Sequence, residues 1–214
     1  MKTGIAVSLA VLLAGCASTQ VAVKDPSAPV SDNKTKEIAR PKDAVWNDAV
    51  AKLGQRFFVI NNIDKSSGLI NISYSGNPEE YVDCGTVTVT TKGPGGGSYT
   101  FKGAAAEATY SIPVPIPPYN IPANSPARRQ MSLEGRVNLI FEELAPQRTR
   151  VTAATRYILT RKIESMGPAM FPSASDTISF NANQSSSFPA GRDGEALKCV
   201  STGALEDSIL NAIN

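Results

Sequence analysis

Met131-Ser132-Leu133-Glu134-Gly135-Arg136-Val137-Asn138-Leu139-Ile140-Phe141-Glu142 decides the fold. Met131, Leu133, Val137, Leu139 and Phe141 share one parity with Gly135, while Ser132, Glu134, Arg136, Asn138 and Glu142 share the other. Successive strand side chains point to opposite faces, so this pattern predicts one apolar face and one wet face. The pattern returns with Val151, Ala153, Tyr157 and Leu159 inward and Arg148, Arg150, Thr152, Arg156 and Lys162 outward. Leu144-Ala145-Pro146-Gln147 is the predicted turn of a long β-hairpin from roughly Arg129 to Ile163. Pairing Phe141 with Thr149 sets Glu142 opposite Arg148 and Glu134 opposite Arg156. A slip of two residues would set Arg136 against Arg156, which cross-strand electrostatics disfavours, so the first register is expected. Arms of about 15 residues, roughly 50 Å long, need a cover over their apolar face. The Arg/Glu face reads as a solvated sheet surface, or more sharply as a contact for anionic lipid or polysaccharide.

Working outward, the chain begins with an address. Met1-Lys2, an apolar run from about Ile5 to Leu13, and Leu13-Ala14-Gly15-Cys16 make a secretory signal over residues 1–15. The run is far shorter than the ~20 residues needed to span a bilayer. Leu13-Ala14-Gly15-Cys16 resembles the bacterial lipobox. That resemblance implies a diacylglyceryl thioether on Cys16, which becomes the N-acylated mature terminus and anchors the protein to a membrane. Ala17 in place of Asp implies, by resemblance to enterobacterial sorting, the periplasmic face of the outer membrane.

Residues 16–40 are expected to be a lipidated N-terminus and flexible tether, because their polar and proline-rich composition shows no sustained apolar period. Residues 41–214 are expected to be a single α+β domain. A net charge of +2 leaves no nucleic-acid footprint. The chain contains no histidine, which excludes Ser-His-Asp and Cys-His catalysis and any His-ligated metal. No metal, cofactor or catalytic residue is expected. Glu79-Glu80 and Glu142-Glu143 read as solvated surface, since adjacent strand residues face opposite sides. Gly93 to Gly97 lacks the Lys-Ser/Thr ending of a phosphate loop. Cys84 and Cys199 remain after lipidation, an even number in an oxidising compartment, so a disulfide is expected.

The domain opens with a predicted helix, about Lys42 to Leu53, with Trp46, Ala49, Val50 and Leu53 on one stripe. Arg56 to Ile63 and Leu69 to Ser75 form a hairpin around Asp64 to Gly68. The stretch from Trp46 to Tyr74, with Leu53-Gly54, Phe57-Phe58-Val59-Ile60, Asp64 and Gly68-Leu69-Ile70-Asn71-Ile72-Ser73-Tyr74, is similar to the start of helix-grip domains of the BamC type, found in a lipoprotein of the outer-membrane β-barrel assembly machinery. That resemblance implies no catalytic residues.

Tyr81 to Thr91 reads as a third strand with Val87 and Val89 inward. A Gly/Pro-rich insertion follows at about residues 92–127. Its Pro-rich segment carries Ile112, Val114, Ile116, Tyr119 and Ile121, the candidate partner contacts, on extended polyproline-like chain. The same segment could instead fold over an open sheet edge. Thr177 to Asn181 is a predicted short strand, and Ser185 to Ser187 a loop. A final helix, about Gly203 to Ile213, is capped by Thr202 or Ser201 and buries Leu205, Ile209, Ala212 and Ile213, supplying the cover that the hairpin needs.

The expected fold class is therefore α+β: an antiparallel sheet with a long hairpin, packed against an N-terminal and a C-terminal helix in a helix-grip-like arrangement. The expected function is a lipid-anchored, non-enzymatic envelope protein, an accessory or scaffold of an outer-membrane assembly. Its expected partners are the membrane, through the lipid, and another envelope protein, with no nucleic acid. The alternative is a periplasmic carrier or sensor holding an apolar ligand between sheet and helix.

Overall fold

The computed structural model describes residues 18–28, 34–56, 58–116, 118, 121–167, 172–191 and 196–213. In chain order these form β1 (Ser18–Lys24), β2 (Lys34–Ile38), α1 (Lys42–Gly54), β3 (Val59–Asp64), β4 (Leu69–Gly76), β5 (Val82–Asp83), β6 (Thr86–Lys92) and β7 (Ser98–Lys102). They continue with β8 (Glu107–Ile116), β9 (Ile121–Ala145), β10 (Arg148–Ser165), β11 (Ala174–Asn181), β12 (Ser185–Phe188), β13 (Leu197–Ser201) and α2 (Ala204–Ala212). The fold is mixed α+β, with antiparallel sheets and two helices among the described residues, one near each end of the chain.

The expected hairpin is the spine. β9 runs for 25 residues and β10 for 18, joined through Pro146-Gln147. One edge of β10 pairs with β2 over Thr149–Ala153 and with β11 over Arg156–Ile163. The free edge of β9 pairs with β8 over Ile121–Gln130 and with β4 over Leu133–Ile140, and β3 closes that side. The inward parity is as read: Leu133, Val137, Leu139 and Phe141 meet Val151, Ala153, Tyr157 and Leu159, all buried.

The register is the one that sequence reasoning rejected. Phe141 pairs with Val151 and Arg136 lies opposite Arg156. A slip of two residues leaves every inward side chain inward, but it would set the inward Arg129 opposite the inward Arg161, whereas the adopted register pairs them with Ile163 and Met131. Surface charge was a weak arbiter. Glu134 instead meets Arg136 along its own strand (2.7 Å), and Glu142 lies opposite Arg150. A bulge between Arg148 and Thr149 absorbs the difference at the tight turn.

The expected tether is corrected. β1 pairs with β6 from Ser18↔Lys92 to Lys24↔Thr86, and β2 joins the edge of β10, so residues 18–24 and 34–38 belong to the sheets. Only Val21 and Val23 signal β1, a run too short to stand out beside its polar neighbours. Lys36 donates its Nζ to the carbonyls of Leu210 (3.1 Å) and Ile213 (2.8 Å), satisfying the C-terminal end of α2.

The insertion at residues 92–127 is also corrected: it holds β7, β8 and the start of β9. Among the described strands, β8 pairs only with β9, so Pro113 and Pro115 sit on an edge strand, where a missing N–H is tolerated. The third strand splits into β5 and β6 at Gly85, whose φ is +69°. A Cβ there would lie 1.8 Å from the Lys24 carbonyl oxygen, so β1 can cross at this point only over glycine. Ser185–Phe188, read as loop, is β12 paired with β13.

The helices cover the turn half of the inner face. α1 buries Val45, Trp46, Ala49 and Leu53, and α2 buries Leu205, Ile209, Leu210 and Ala212. Gly135 lies under α2: a Cβ would stand 2.8 Å from Leu205 Cδ2, the end of a flexible side chain, which would have to shift. The other half of the inner face is covered from the small sheets, with Phe101 of β7 stacked on Tyr110 of β8 and Phe188 of β12 under the Arg161 guanidinium. Two arginines therefore lie on the inward parity. Arg129 is fully buried with its guanidinium over Phe101 and a hydrogen bond to the Gly103 carbonyl (2.5 Å). Arg161 is buried against Asp176 (3.0 Å) and the Pro189 carbonyl (3.0 Å).

Candidate functional site

The outer face of the spine stays wet, and the register sets its pattern. Ser73 of β4, Arg136 of β9, Arg156 of β10 and Asn181 of β11 are consecutive partners and form one row across four strands. Beside it runs a second row, Asn71, Asn138 and Ala154. Asn61 donates to Asn71 (2.9 Å), and Asn71 donates to Asn138 (2.6 Å), which fixes the amides as a ladder. All residues of the two rows except Ser73, together with Thr155 and Asn183, line a depression of about 460 Å³. Its lining contains two guanidinium groups and no carboxylate. Glu134 holds the Arg136 Nε, and Arg156 donates to the Ser179 hydroxyl (2.9 Å). Each guanidinium carries five N–H donors, so most remain for a ligand.

A second cleft, of about 490 Å³, lies beside the disulfide. Lys24 and Lys102 are balanced there by Asp25, Glu79 and Asp83, and Glu79 pairs with Lys102 (3.3 Å). Asp83 is a structural clamp. One of its oxygens accepts from the Ser27 N–H (2.8 Å), the Ala28 N–H (3.0 Å) and the Ser27 hydroxyl (3.2 Å), and the other from the Gly85 N–H (2.7 Å). Burial pushes the Asp83 carboxyl up, but the backbone donors of Ala28, Gly85 and Ser27 outweigh it and hold it below the usual aspartate value. A lowered folded value means that the clamp stabilises the protein above the unfolded aspartate pKa near 3.9 and is lost as pH falls through the folded value. Asp83→Asn is expected to cost about 1 kcal/mol at pH 7 and less at pH 3, below the unfolded value, read by urea unfolding at the two pH values. An equal cost at both would show that the carboxylate charge does not matter there.

Cys84 and Cys199 form a disulfide across a sequence separation of 115, as the cysteine count predicts. It joins the start of the Gly85 turn to β13, immediately before α2. Both sulfurs are buried.

The candidate contact residues fare differently. Ile112 and Val114 are buried on β8, so they form no exposed ridge and are withdrawn as contacts. The segment extends the β9 edge, the covering role that the same composition allowed. The side chains of Ile116, Tyr119 and Ile121 lie outside the described residues, as does Cys16. The arginine row was missed as a site because it exists only in the register that pairwise charge reasoning discarded. No protein-family model matches the chain, and no curated protein or solved structure shows significant similarity to it.

Proposed function

We propose that the chain is a lipid-anchored, non-enzymatic protein of the bacterial envelope, an accessory or scaffold of an outer-membrane assembly, held at the periplasmic face through Cys16. The observation that carries this reading is Leu13-Ala14-Gly15-Cys16 at the end of a short apolar run with a basic start. The Cys84–Cys199 bond supports it, because such bonds persist in exported proteins. Two helices on the inner face of an antiparallel sheet are compatible with a helix-grip-like arrangement. With Ser18 already in β1, a lipid on Cys16 would stand within about 7 Å of the sheet, so the folded body would rest against the membrane and not on a long leash.

The carrier reading is less well supported. Leu205 closes on Gly135, and Tyr157, Leu139, Leu205 and Ile209 fill the sheet–helix interface at 0% exposure. The test is metabolic labelling with an alkyne fatty acid in a bacterial host. Wild type should take up label and sediment with membranes, and Cys16→Ser should do neither. Label retained by that variant would refute the anchor.

A further inference from the structure

We propose that the outer sheet face is a binding site for a carboxylate-bearing glycan strand, gripped by Arg136 and Arg156 and aligned by Asn71, Asn138 and Asn181. At strand spacing the row from Ser73 to Asn181 is about 14 Å long, a straight track for an extended chain. Two arginines directly opposite each other repel, and such pairs destabilise a sheet. The adopted register concentrates positive charge in a depression whose lining has no acid. A carboxylate seated between the guanidiniums would relieve that repulsion and accept a bidentate grip. The flanking amides and hydroxyls are donors and acceptors of the kind sugar hydroxyls need.

A narrow strand fits better than a membrane surface. Glu134 and Glu142 point to the same wet face, outside the row, and would repel an anionic bilayer pressed flat on the sheet. Arg136 and Arg156 are exposed, so they are free to reach a ligand without unfolding anything.

The experiment titrates the full chain in detergent with soluble oligosaccharides of alternating N-acetylglucosamine and N-acetylmuramic acid, which carry lactyl carboxylates, by calorimetry. Chitohexaose is the neutral control, and phosphatidylglycerol vesicles are the membrane control. The acidic glycan should bind, and more weakly as salt rises. Arg136→Gln and Arg156→Gln should each weaken binding roughly tenfold, and Arg156→Lys should also weaken it because lysine lacks the fork. None of these variants should lower the melting temperature. Cys16→Ser should bind as wild type does, which separates this site from the anchor. Absent binding, equal binding of chitohexaose, preferential binding to vesicles, or unchanged affinity in both Gln variants would each overturn the proposal.

Discussion

Replacing both cysteines, Cys84→Ala with Cys199→Ala, is expected to lower stability by about 2–5 kcal/mol, or roughly 4 to 20 °C in melting temperature. The bond closes a loop across a sequence separation of 115, and the chain-entropy cost of leaving so long a loop open in the unfolded state is large. The packing loss adds to it, because both side chains are buried. The consequence is local as well as global. β5 pairs with β13 through only Val82 and Asp83, so without the bond that ladder has little to hold it. Thermal melting of wild type with and without reductant, beside the double variant, checks this. Three coincident melting curves would show that the bond contributes nothing.

Tyr157→Phe is expected to cost about 3 kcal/mol, because it strips a donor from a buried carboxylate. Tyr157 points inward from β10, where its hydroxyl reaches both oxygens of Glu206 at 2.8 and 3.0 Å. Glu206 is fully buried in the first turn of α2, where the helix dipole favours its charge. A chain of donors continues behind it. The Gly203 N–H donates to the Ser201 hydroxyl (3.0 Å), which donates to the Tyr157 oxygen (3.3 Å). Burial first, and the Glu206 charge second, raise the tyrosine well above its ordinary pKa. A raised value means that the network is whole below pH 10 and loses stability as pH rises beyond it. The decisive comparison is a double-mutant cycle with Glu206→Leu. Removing both polar partners should cost less than Tyr157→Phe and Glu206→Leu summed, because no buried carboxylate is left without its donor and only the Ser201 hydroxyl loses an acceptor. Strictly additive losses by denaturant unfolding would mean that the two side chains stabilise α2 independently.

The hairpin was legible because its apolar parity persists through both arms, and both helices were legible from their stripes and flanking residues. The register was not, since the charges compared were those of the exposed face, while the inner face, where the adopted alignment keeps the buried Arg129 and Arg161 apart, carries the larger penalty. β1 and β2 were hidden by their polar composition, which leaves few apolar residues to mark an inward face. Val21 and Val23 mean little until β6 is placed beside them. β8 was hidden by Pro113 and Pro115, which argue against a central strand but are acceptable on an edge. The expected cap of α2, Thr202 or Ser201, is corrected: the N-cap is Gly203, with no side-chain capping bond. Gly203 takes the left-handed N-cap position (φ 77°), while the Ser201 and Thr202 hydroxyls accept from the N–H groups of Gly203 and Ala204. The arginine row needed four strands in register before it existed at all, so no local pattern in the sequence could announce it.

Lipid on Cys16 is tested most directly by the intact mass of the protein extracted with detergent from bacterial envelopes. The predicted result is a mature chain that begins at Cys16 and is heavier than its residues by a diacylglyceryl group and one N-linked acyl chain. A chain that retains residues 1–15, or one that begins at Cys16 with no lipid mass, would contradict it.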